Sequence, residues 1–135
     1  MVSDVEAAYV AGILDGEGSI SLIRIRKSRL PSPQVAVTST DRELLEWLKL
    51  RFGGSIIQKR RRLPIHSQAY EWKLADRLAL NVIELARPYL VIQRKIRRAD
   101  LLLEAYIAST PSNGRYTTEM LEQKNSLIRR FSSLP

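Results

Sequence analysis

The sequence predicts an α+β fold in which helices pack on one face of an antiparallel sheet, in the order α-β-β-α-β-β followed by further helix. Two observations carry this. First, "SISLIRIRKSRLPSPQVAVTST", and later "GSIIQKRRR" with "QAYEWKL", alternate apolar and polar residues around turn-forming centres, as β-hairpins do. Second, a segment opening on an S/T-x-x-E capping box precedes each hairpin. At 135 residues the chain is long enough for a core of its own. It reads as one domain over 1–135, with a core of about 3–109 and a C-terminal helix of about 117–131.

The elements follow in order. Ser3-Asp4-Val5-Glu6 starts a helix from Asp4 into Asp15. The first hairpin has Pro31 and Pro33 at its centre. Its first strand carries a conflict of parity: Ile20 and Leu22 share one face, while Ile23 and Ile25 take the other. Either a bulge resolves this, or Arg24 and Arg26 do not point the same way. Thr40-Asp41-Arg42-Glu43 starts a second helix, from about Asp41 to Phe52, with Leu44, Leu45 and Leu48 inward and Gly53-Gly54 as its stop. The second hairpin turns near Pro64-Ile65-His66. "RLALNVIELA" is helical until Pro88, and "RKIRRADLLLEAYIAS" until Pro111. "TTEMLEQKNSLIRRF" is amphipathic, with Leu121, Ile128 and Phe131 on one face. Trp47, Trp72 and Tyr70 belong to the core.

Composition narrows the chemistry. With no cysteine and one histidine, His66 in a turn, neither a disulfide framework, a His-ligated zinc site nor a Cys–His nucleophile is available. No apolar run reaches the ~18 residues of a membrane span, and "MVSDVEAAYV" has no basic n-region, so an intracellular protein without a membrane partner is expected. The net charge of +8 calls for an anionic partner. Twelve of the 22 Lys and Arg fall in three clusters: Arg24, Arg26, Lys27 and Arg29; Lys59 to Arg62; and Arg94, Lys95, Arg97 and Arg98. Two of these lie on or beside the hairpins. A twisted sheet with one basic face can enter a DNA major groove; the alternative is a merely solvated charged face.

The stretch "YVAGILDGEGSI" poses the sharpest question, because it sets Asp15 and Glu17 at the negative end of a helix macrodipole. Helix-terminal carbonyls lack intrahelical partners, so with two carboxylates the end is rich in hard oxygen ligands suited to Mg²⁺. The structural alternative is a glycine C-cap whose acids face water. Ala8, Gly12 and Gly16 recur every fourth residue, a stripe that lets two helices pack closely, within the chain or between two copies.

"VAGILDGEG" resembles the LAGLIDADG motif of homing endonucleases, with Val10, Ile13, Leu14, Gly16 and Glu17 as conservative replacements. "GSISLIRIR", "VAVTSTDRELLEWLK", "FGGSI" and "RPYLVIQRK" resemble the family's later landmarks, in the family's order, over about residues 5–107. The resemblance implies the αββαββα fold, with a saddle-shaped antiparallel sheet over double-stranded DNA and the motif helix at a subunit interface. A chain with one motif resembles the homodimeric, intron-encoded kind. It implies site-specific double-strand cleavage of a long, roughly palindromic site, with Mg²⁺, or Mn²⁺ as substitute, on Glu17 and the Gly16 carbonyl. Ala8, Gly12 and Asp15 fall at the interface, where Asp15 caps the partner helix.

The family's lysine before the helix after "PYL" falls on Gln93 when counted from Pro88, and on Lys95 when counted back from Ala99-Asp100-Leu101. Lys95 is preferred because a cation there would stabilise charge on the phosphate, with Arg94 as a substitute. Ser39 matches a water-orienting polar residue. Base readout is expected from Ser21, Arg24, Arg26, Gln34, Lys59, Arg61, Glu71 and Lys73. The competing readings are a non-cleaving protein of the same fold, either a maturase bound to intron RNA or a DNA-binding regulator, and a non-specific binder of anionic surfaces.

Overall fold

The computed structural model describes residues 2–24 and 26–135. Its elements are α1 (Asp4–Glu17), β1 (Gly18–Ile23), β2 (Ser32–Ser39), α2 (Arg42–Phe52), β3 (Ser55–Gln58), β4 (Tyr70–Ala75), α3 (Asp76–Ala86), a 3-10 turn (Arg87–Tyr89), α4 (Gln93–Ala105) and α5 (Thr118–Ser132). The α+β order expected from the hairpin and helix patterns is present.

The capping box at Ser3 forms in full: its hydroxyl accepts from the Glu6 N–H, and the Glu6 carboxylate accepts from the Ser3 N–H. Helix α1 runs two residues beyond the expected Asp15, so Asp15 and Glu17 both lie in its last turn. It ends at Gly18, where a Cβ would lie 2.7 Å from the Cα of Leu14. Only a glycine lets the chain turn there from helix directly into strand.

The second capping box does not form. Asp41 rather than Thr40 is the N-cap of α2, and it makes no side-chain cap hydrogen bond. The Ser39 hydroxyl instead accepts from the Asp41 N–H at 3.0 Å, a local turn that displaces Thr40 from the cap. Gly53 (φ 84°) and Gly54 (φ 90°) then stop α2 as expected. A Cβ on Gly54 would come within 2.4 Å of the Lys73 carbonyl.

The four strands form an antiparallel sheet in the order β1-β2-β4-β3, so the two hairpins meet along β2 and β4. Ile20, Val35, Val37, Trp72 and Leu74 point to one face and are buried under the helices. Trp72 keeps its indole N–H satisfied by donating to the Gly53 carbonyl at 2.8 Å. The opposite face carries Ser21 beside Gln34, Ala36 between Ser19 and Lys73, and Thr38 beside Glu71. Pairing of β1 with β2 is continuous from Gly18 to Ile23, so no bulge occurs there. The strand simply ends, which leaves Arg24 beyond it; Ile25, the other half of the parity conflict, lies outside the described residues. The second hairpin closes with Gln68, whose side-chain amide donates to the carbonyls of Lys59 (2.6 Å) and Ala69 (2.8 Å).

Helix α5 departs from the expected pattern. Leu127 is buried, but so is Lys124, while Leu121 is exposed. Lys124 lies with its ammonium 3.7 Å from the centre of the Tyr106 ring, and it donates to the Thr110 hydroxyl. An aromatic face and a hydroxyl replace the carboxylate that a buried lysine ordinarily finds. Hydrophobic periodicity sends lysines outward, and so it mis-set the buried face of this helix.

Burial pushes the Lys124 ammonium down to about 8 from an ordinary 10.5. Between those values the unfolded chain binds the proton and the folded chain does not, so stability rises with pH across that window. Lys124→Met should remove this alkaline gain and raise the melting temperature at neutral pH. Thermal melts of both proteins at pH 7 and pH 9.5 measure it; an equal pH dependence would show that Lys124 keeps its proton in the fold.

Candidate functional site

The end of α1 meets the beginning of α4. The two carboxylate oxygens of Asp15 accept from the Val91 and Ile92 N–H groups, at 2.9 and 3.1 Å. In return, the Lys95 ammonium reaches from the first turn of α4 to donate to the carbonyls of Leu14 and, at 2.6 Å, Asp15. The negative end of one macrodipole thus faces the positive end of another, and a counter-charge crosses in each direction. Hydrogen bonds to charged groups contribute about 1.5–3 kcal/mol each. The helix start that Asp15 caps belongs to its own chain, where a partner helix was expected.

Lys95 is therefore placed differently from a residue that reaches outward. It is only 6% exposed, and burial, reinforced by Arg94, lowers its proton affinity. Two members of the third basic cluster are turned inward in this way. The second is half-buried Arg98, which donates to the Ile20 carbonyl at 3.3 Å and stacks over Phe131. Three residues on either side of Glu17, namely Leu14, Asp15 and Ile20, are consequently held from α4. Gln93 and Arg94 remain exposed on its first turn.

Glu17 itself is exposed, and its carboxylate takes part in no hydrogen bond or ion pair among the described residues. Gly16 is exposed beside it, with open space where a Cβ would lie. An unengaged carboxylate next to a helix-terminal carbonyl fits a divalent cation as donor set. Among the described residues no three acidic or histidine side chains gather to hold an ion, so these two donors need completion from outside the chain. Gly18 pairs with Val37, which puts the end of β2 carrying Ser39 at the same end of the sheet.

The small-residue stripe faces outward. Ala7, Val10, Ala11 and Leu14 form the buried side of α1, whereas Ala8, Gly12 and Gly16 are exposed, alongside Val5 (80%) and Tyr9 (54%). Of the two expected packings, the one against the chain's own core is absent.

Of the expected readout residues, Ser21, Gln34, Glu71 and Lys73 share the outer face of the sheet. Lys59 continues β3 and lies 3.7 Å from Glu71. Arg61 lies in the loop beyond it. Arg24 and Arg26 lie past the end of β1, and the Arg24 guanidinium donates to the Arg29 carbonyl at 2.6 Å, so it shapes the turn. Thr38 was missed; it donates to Glu71 at 3.3 Å, and the alternation of "VAVTST" already places it on that face.

The profile of the LAGLIDADG-like domain matches residues 4–132. No curated protein sequence matches the chain. Among solved structures, the homing endonuclease I-CvuI in complex with its target superposes with a TM-score of 0.74, at 20% identity, over 98% of this chain and 83% of that one. An archaeal intron-encoded homing endonuclease, I-Vdi141I, complexed with DNA gives 0.58, at 17% identity, over 93% and 84%. The LAGLIDADG homing endonuclease I-SmaMI bound to cleaved DNA gives 0.65, at 24% identity, over 94% of this chain and 43% of that one. With one copy of the motif, on α1, and this fold around it, the chain belongs to the LAGLIDADG family.

Proposed function

We propose that this chain is a site-specific DNA endonuclease that works as a homodimer. The observation that carries the reading is the free Glu17 carboxylate at one end of an exposed, bulk-free face of α1. Two such faces in contact bring two copies of Glu17 to a common axis, one for each strand of a duplex. The polar outer face of the sheet and the basic hairpin tips supply the DNA surface. Its fold relatives I-CvuI, in the presence of Ca or Mg, and I-Vdi141I are complexed with DNA, which agrees with this.

Glu17 and the Gly16 carbonyl would hold the Mg²⁺. When bound, the ion supplies a Lewis acid and an activated water for phosphodiester hydrolysis. Asp15 fixes the α1 terminus against α4. Lys95 holds the Leu14 and Asp15 carbonyls and so positions Glu17 by way of the backbone. Its burial leaves Arg94 or Gln93, on the same turn, as the group free to approach a phosphate. Ser39 retains its hydroxyl proton for a water at the same end of the sheet. The inward turn of Lys95 favours one second reading, a DNA-binding protein of the same fold that does not cut.

Three outcomes test this. Glu17→Gln should keep duplex binding while cleavage in Mg²⁺ falls by orders of magnitude; cutting at the wild-type rate would remove Glu17 from the chemistry. Lys95→Met should lower stability by about 1–3 kcal/mol, because one buried and one part-buried carbonyl lose their donor, whereas Gln93→Ala should not. Denaturant titration distinguishes them, and equal midpoints would show that Lys95 does not hold α1. Gly12→Leu should abolish dimerisation and cleavage together while the monomer still folds. Light scattering beside a cleavage assay checks it, and a fully active Gly12→Leu dimer would place the subunit contact elsewhere.

A further inference from the structure

Glu71 sits near the middle of the outer sheet face, between Thr38 of β2 and Ile57 of β3. Its side chain is only 14% exposed. A carboxylate on a face turned toward a polyanion costs affinity unless it meets a donor. This one is held in place: Thr38 donates to Oε2 at 3.3 Å, Lys59 lies 3.7 Å from the same oxygen, and the Lys73 ammonium lies 3.2 Å from Oε1. An acceptor and a donor are thus presented side by side, one hydrogen-bond length apart.

The edge of a base pair in the major groove offers the complementary arrangement. In G·C, the cytosine N4 donor and the guanine O6 acceptor are bonded to each other and lie about 2.9 Å apart. Guanine N7 adds a second acceptor on the guanine side. An A·T pair also sets a donor beside an acceptor. There, however, adenine N7 would face the carboxylate and repel it, and the thymine methyl would crowd the ammonium. The ion pair need not open on binding, because the carboxylate has further lone pairs and the ammonium further protons.

We infer that Glu71 and Lys73 act as a couple that reads one G·C pair in the major groove of each half-site, with cytosine at Glu71 and guanine at Lys73. This rests on the DNA-binding reading above. Thr38 and Lys59 are positioning residues that set the Glu71 rotamer so that Oε1 stays beside Lys73.

The test is selection from a randomised duplex library in Ca²⁺, with sequencing of the bound fraction, for the wild type, Glu71→Gln, Glu71→Ala and Lys73→Ala. The wild type should prefer G·C about tenfold at one position per half-site. Glu71→Ala should lose that preference, and Lys73→Ala should weaken it at the same position. Glu71→Gln keeps the shape but adds a donor, and it should turn the preference to A·T, since an amide pairs with adenine N6 and N7. Variants that select the wild-type bases at every position would overturn the couple while leaving DNA recognition intact. A wild type that enriches no sequence would overturn the DNA reading itself, and the couple with it.

Discussion

The junction between the end of α1 and the start of α4 is the contact on which the rest of the site depends. Two acids at the negative end of a helix are an electrostatic fault when α1 is considered alone. The fold corrects half of that fault and leaves the other half open. Asp15 is neutralised by two N–H groups ahead of α4, and the orphan carbonyls around it are taken by Lys95. Among the described residues Glu17 meets no donor or cation, and it is exposed. A local rule broken and only partly repaired is where a functional or strained site is expected.

The same helix divides its own surface. On one side Val10, Ala11 and Leu14 are fully buried in the core. On the other, Ala8, Gly12 and Gly16 leave the backbone uncovered, flanked by Val5 and Tyr9. Among the described residues only the inner side of this helix is covered. The sheet is divided likewise. Its inner face is aliphatic around Trp72, and its outer face is polar, with Thr38, Glu71 and Lys73 joined in one network.

Legibility followed the range of the interaction. Period-two alternation put Ser21, Gln34, Glu71 and Lys73 on one face, because strand geometry leaves no other choice once Ile20, Val35 and Trp72 are inward. The Ser3 capping box, four residues long, was equally readable. The Thr40 box failed because a neighbouring hydroxyl, Ser39, competed for the same turn. The buried face of α5 was mis-set because Lys124 is stabilised by an aromatic ring, which periodicity cannot foresee. Nothing in the sequence pointed from Asp15 to Val91 and Ile92, because backbone N–H groups are the same at every residue but proline. Lys95 was found as a special position, but a side chain's direction depends on what the fold puts in front of it.

The span of the Asp15 and Lys95 contacts has a consequence for the order in which the molecule forms. Asp15 and Val91 are 76 residues apart along the chain, and Lys95 and Leu14 are 81 apart. Closing a loop of that length is slow compared with forming a helix or a hairpin. During synthesis, α1 and both hairpins emerge long before α4 does. Until then α1 carries Asp15, Glu17 and bare carbonyls at one end, with nothing to hold them. The acid-rich terminus is therefore completed late, and its completion reports that the chain has folded through residue 95.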